Sequence, residues 1–132
     1  INKIIMKNIK KLLILGFHSA NILLIIFYLY PGSIFGHFLY GDSYIQPQLT
    51  RDFIVSSNHF YVFIILSFLG VVAYQKTQHI NFVIIYLFLL SIILELFHII
   101  VPSREFEWTD LFGNILGVFF VIIIYKIKNK YV

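Results

Sequence analysis

Apolar residues in this chain come in long unbroken runs, and polar residues are confined mostly to short stretches between them. The first run spans Leu12 to Tyr30, 19 residues, and stops at Pro31-Gly32. The second runs from about His59 to Tyr74, short enough that it is expected to borrow a turn from Phe53-Ile54-Val55. The third covers Ile80 to Val101 and stops at Pro102; the fourth covers Thr109 to Tyr125. A membrane-crossing helix needs about 20 mostly apolar residues, and each run approaches that length. Continuous runs, rather than strict alternation, exclude barrel strands. A helix satisfies its backbone groups within one segment, so the pattern predicts an all-α polytopic bundle of four transmembrane helices, roughly 12–30, 59–74, 80–101 and 109–125, forming one domain over residues 1–132. The segment 31–58 forms a long connecting loop with aromatics at Phe35, Phe38, Tyr40 and Tyr44, suited to a membrane interface.

Charge gives the bundle a direction. Lys3, Lys7, Lys10, Lys11, Lys76, Lys126, Lys128 and Lys130 fall on one side of the runs, and only Arg51 and Arg104 on the other. The side rich in Lys faces the cytoplasm, so both termini are expected there. Asp42, Asp52, Glu105, Glu107 and Asp110 fall outside or at the opposite edge, and only Glu95 lies within a run. Met6-Lys7-Asn8-Ile9-Lys10-Lys11 reads as a natural start, and the first run reads as a retained span rather than a cleaved signal, because no small-residue cleavage pattern follows it.

Composition narrows the class further. The chain is 60% apolar and 12% charged, with a mean hydropathy of +0.89, whereas soluble domains are about one quarter charged. The net charge of +4 includes no basic stripe interleaved with aromatics, so nucleic acid is not an expected partner. Cysteine is absent, which excludes disulfides and thiolate metal sites.

The chemistry sits at one end of the bundle. Glu95 and His98 are spaced i, i+3 and share a helix face, about 9 Å from the outer end at Glu95. Asp110 and Asn114 are i, i+4 on the last helix, with Gly117 one further turn along; His59 opens the second helix, and Arg104 sits in the short loop after Pro102. Ionisable groups inside a span are costly and mark function by default. Three readings compete for His59, Glu95, His98, Arg104, Asp110 and Asn114. They bind an anionic or amphiphilic ligand, with the Arg104 fork on a phosphate or carboxylate. They form a catalytic or metal site, although no established ligand spacing is present. Or they only neutralise one another, with Glu95 paired to Arg104 or His59 and Asp110 capping its helix. From spacing alone no metal and no cofactor is expected, and no catalytic residue is assigned. His18, Ser19 and Asn21 form a weaker group in the inner half, suited to interhelical hydrogen bonds with Ser19 bonding its own backbone, while Gly16, Gly70 and Gly117 suit helix contacts.

At these residues the chain resembles the VanZ-like family of small bacterial membrane proteins. The family pattern corresponds to His59-Phe60, Glu95, Pro102 with Arg104, then Asp110, Asn114 and Gly117, across about residues 55 to 125. Two positions depart from it: Ser56 stands where the family usually has Lys, and His98 where it has Gln. The resemblance implies a multi-pass protein of the bacterial cytoplasmic (inner) membrane, acting at the outer face on envelope lipids or lipid-linked amphiphiles and altering susceptibility to glycopeptide or lipopeptide antibiotics. The alternatives are a non-catalytic accessory subunit packed against other membrane subunits, and a membrane-embedded hydrolase or transferase. Transport fits least, since no run is broken in its middle.

Overall fold

The computed structural model describes residues 1–132 and contains five helices and no strand. They are α1 (Asn2–Leu29), α2 (Ile34–Tyr40), α3 (Ser57–Tyr74), α4 (Ile80–Phe97) and α5 (Trp108–Tyr131). All but α2 are long and apolar enough to cross a membrane. Their outward faces carry exposed side chains such as Leu23 and Ile26 on α1, Ile65 and Phe68 on α3, Ile85 on α4 and Phe119 on α5. Apolar surface of this extent is untenable in water and natural against acyl chains. The protein is a multi-pass membrane protein.

Helix ends differ from the sequence pattern in instructive ways. α1 begins at Asn2, ahead of the apolar run, because Lys7, Lys10 and Lys11 favour helix and their long side chains reach solvent from an exposed face. α5 continues past Tyr125 to Tyr131 for the same reason. The turn that α3 was expected to borrow from Phe53-Ile54-Val55 does not form. Asp52 Oδ1 instead accepts the first helix N–H, that of Ser57, at 2.9 Å, and Ser56 N–H donates to Thr109 O at 3.1 Å, which ties the start of α3 to the start of α5. α4 ends at Phe97, before Val101. Its last turn tightens to shorter-range bonds, with His98 N–H on Glu95 O at 3.1 Å, Ile99 N–H on Leu96 O at 3.2 Å and Ile100 N–H on Phe97 O at 3.0 Å. Such tightening is a common way to satisfy the last carbonyls of a helix. Ser103, with φ 60°, then turns the chain toward α5. The loop 31–58 contains α2, capped by Ser33 Oγ on Gly36 N–H at 2.9 Å and closed by Gly41 in the left-handed region.

α3 is the hub. It meets α5 over the largest interface and also packs on α1 and α4, and the core centres on Phe63, Leu87 and Val118, all fully buried. The α3–α5 approach depends on Gly113 and Gly117, which lie against the backbone of residues 56–64. A Cβ on Gly117 would stand 2.6 Å from Phe60 O, and one on Gly113 would stand 2.8 Å from Ser56 O. Gly70 receives the Phe17 ring of α1. Gly16 was expected to mark a contact as well, but a Cβ there meets nothing within 4 Å; its face of α1 is not covered by another helix. Gly117→Ala is therefore expected to destabilise the bundle by about 1–3 kcal/mol through overpacking against a backbone that cannot yield. Gly16→Ala should leave the thermal unfolding temperature in detergent unchanged or slightly higher, because it improves helix propensity at an open position.

Candidate functional site

Four helices and one loop bring a polar cluster together where α3 and α5 begin and α1 and α4 end. Glu95, near the end of α4, is 0% exposed. Its Oε1 accepts the Glu107 N–H at 3.1 Å and faces His98 Nδ1 at 3.3 Å. Its Oε2 lies 3.9 Å from His59 Nδ1 and has no hydrogen-bond partner. The other ring nitrogen of His98 lies 3.0 Å from Tyr28 O, which anchors the end of α4 to α1. On α5, Asn114 is 0% exposed; its Nδ2 donates to Ser91 O at 3.1 Å, and its Oδ1 accepts from Tyr28 Oη at 2.6 Å. Asp110 Oδ2 stands 3.3 Å from His59 Nε2.

His59, Glu95, His98, Asp110 and Asn114 thus share one cluster. Arg104 borders it but does not pair with a carboxylate. Its Nε donates to Tyr30 O at 3.3 Å and its Nη2 to Phe27 O at 3.2 Å, so it satisfies carbonyls left free at the end of α1. Burial draws the Arg104 guanidinium below its ordinary pKa, opposed by Tyr28, Asp110 and Glu95. Arginine stays charged within proteins, so a cation is held at the margin of the cluster with part of its donor fork uncommitted. Asp110 does not cap its helix either: the N-cap is Glu107, and Asp110 lies in the first turn, where a carboxylate still complements the helix dipole.

The residue that sequence reasoning missed is Tyr28. It is 7% exposed, stacks on His98 with ring centroids 5.0 Å apart and meets His59 edge-on at 5.2 Å. Its hydroxyl bonds both Asn114 and His59 Nδ1. Its one signal was position: a hydroxyl two residues before the end of the first apolar run, at the level of the other polar groups. At the opposite end of the bundle, His18 Nε2 lies 2.9 Å from Tyr74 Oη, and Asn21 Nδ2 donates to Tyr86 Oη at 2.6 Å. Those pairs join α1 to α3 and α4 and lie apart from the cluster.

Beside the cluster lies a cavity of about 600 Å³ between α1, α2, α3 and the segment 46–49. Leu23, Leu24 and Phe27 of α1 and Val62, Ile65 and Leu66 of α3 give it apolar walls. His59, His98 and Arg104 give it a polar end, and Ser33, Gln46 and Gln48 add hydrogen-bonding groups from the loop. An apolar trough with a few polar groups at one end, one of them a fixed cation, suits a molecule with a greasy tail and an anionic or zwitterionic head. One donor atom from each of His59, Glu95 and Asp110 also falls within 4.8 Å of the other two, a spacing compatible with a shared cation. No curated protein and no solved structure matches the chain. Residues 6–129 match the VanZ/LLP1 family, nearly the whole chain and every residue of the cluster. The chain belongs to the VanZ/LLP1 family of membrane proteins.

Proposed function

We propose that this protein resides in a bacterial cytoplasmic membrane with both termini inside, and that its outer-leaflet cavity engages the headgroup and part of the acyl chain of an envelope lipid or lipid-linked amphiphile. By doing so it alters susceptibility to glycopeptide or lipopeptide antibiotics. The observation that carries the reading is the cavity itself, with aliphatic walls from α1 and α3 that end at His59, His98 and Arg104. A volume of about 600 Å³ lies within the 300–1,000 Å³ common for small-molecule sites. The Lys excess at the opposite end supports placing this end outside. The uncommitted donors of Arg104 suit a phosphate or carboxylate, and the imidazoles of His59 and His98 complete the polar end beside it.

Native mass spectrometry of the full chain released from lipid nanodiscs tests the reading. The unaltered protein should retain an amphiphile through gentle activation. Val62→Trp, which fills the trough from α3, should lose it, and Arg104→Ala should retain it more weakly, both with thermal stability close to the parent. An unaltered protein that emerges bare, or a Val62→Trp variant that retains the same mass equally well, would reject it.

A further inference from the structure

We infer that His59, Glu95 and Asp110 form a binding site for a divalent transition-metal cation, Zn²⁺ or Mn²⁺. Three separate helices supply the donors, and one donor atom from each lies within 4.8 Å of the others. A carboxylate pair alone would say little, but two further observations point to a ligand. Glu95 is 0% exposed and its Oε2 has no hydrogen-bond partner, so a buried carboxylate oxygen beside the other two donors lacks its complement. Orphaned groups of this kind are expensive, and a bound ion is one of the recognised explanations.

The second observation is the hydrogen-bond direction around His59. Asn114 Nδ2 is committed to Ser91 O, so Oδ1 is the acceptor for the single proton of Tyr28 Oη. The Tyr28 oxygen, its proton spent, accepts from His59 Nδ1–H. In the neutral ring this leaves Nε2 as a bare lone pair, and it faces Asp110 Oδ2 at 3.3 Å. Two lone pairs held this close need a proton or a metal cation between them. The only neighbouring arginine, Arg104, is turned to the carbonyls of Tyr30 and Phe27. A histidine that donates one ring N–H to a fixed partner while the other nitrogen faces a carboxylate is the usual arrangement of a metal-bound imidazole, with Tyr28 and Asn114 as the outer shell. One imidazole and two carboxylates suit Zn²⁺ or Mn²⁺ and leave coordination positions free. This site stands independently of the lipid reading.

Full-length protein, with any affinity tag removed and stripped with EDTA in mild detergent, is dialysed against Zn²⁺ or Mn²⁺ and its metal content measured by mass spectrometry. About one ion per chain is expected, with a rise in unfolding temperature, because ions that bind the folded state stabilise it. Glu95→Gln and Asp110→Asn should each abolish stoichiometric binding. Tyr28→Phe, which removes one of the two partners of His59 Nδ1–H and leaves Asn114 Oδ1 at 3.1 Å, should weaken it by about 10-fold. His37→Gln and His79→Gln, both exposed, should bind like the parent. If Glu95→Gln fails to fold, Asp110→Asn and Tyr28→Phe carry the test. Parent protein that is folded yet holds far less than stoichiometric metal overturns the site, as does undiminished binding by folded Asp110→Asn. Lipid retention, read separately by native mass spectrometry, tells failure of this site apart from failure of the lipid reading.

Discussion

Tyr28→Ala is expected to destabilise the bundle by about 3–5 kcal/mol, the range for deleting a large buried aromatic side chain. The ring is 7% exposed and wedged between the imidazoles of His98 and His59 and the edge of Phe63. Removing it takes packing from α3 and α4 at once and leaves Asn114 Oδ1 and His59 Nδ1 without their shared hydroxyl. Tyr28→Phe separates the two contributions. It keeps the ring and loses only the hydroxyl, and interhelical hydrogen bonds in membranes average about 0.6 kcal/mol with a maximum of about 1.7. Reversible unfolding in mixed micelles, followed by circular dichroism, should therefore show a large loss for alanine and a loss of about 1 kcal/mol for phenylalanine. Equal losses for the two would mean that the polar network, rather than ring packing, holds this end together.

The second large effect is functional. In a susceptible bacterial host, Arg104→Ala and Glu95→Gln should each abolish any change in inhibitory concentration of a glycopeptide that the parent chain confers, with membrane levels intact. Arg104 offers the cation at the mouth of the cavity. Glu95 sets the positions of His98 and the Glu107 backbone, and glutamine nearly preserves its shape while removing its charge. Levels are read by quantitative blotting of membranes. An unchanged phenotype in both variants at parental levels would remove the cluster from the function.

Much of this architecture was legible in the chain because bilayers admit few solutions: continuous apolar runs become helices, and their ionisable groups must meet something. The i, i+3 pair Glu95–His98 and the i, i+4 pair Asp110–Asn114 each declared a shared face. What periodicity could not show was the partner of each group. Arg104 reads as a counter-ion for Glu95, yet a helix end with free carbonyls lies closer to hand, and Arg104 takes those. Tyr28 was hidden among Phe and Leu because its ring is apolar and only its hydroxyl takes part. The cation-compatible trio escaped motif logic for a similar reason. His59, Glu95 and Asp110 come from α3, α4 and α5, so no fixed spacing announces them. The cavity depends on how α2 and residues 46–49 fold back over α1 and α3, which is tertiary information absent from hydropathy.

All of the functional reading requires that the cluster and its cavity open on the non-cytoplasmic side. The chain contains no cysteine, so single thiols report their side without background. Glu105→Cys lies in the loop beside Arg104, and Gln78→Cys in the loop between α3 and α4, both at exposed positions. With a membrane-impermeant maleimide on intact cells, position 105 is expected to label and position 78 to stay unlabelled until the membrane is opened. Labelling at 78 with protection at 105 would place the cluster in the cytoplasmic half and contradict it.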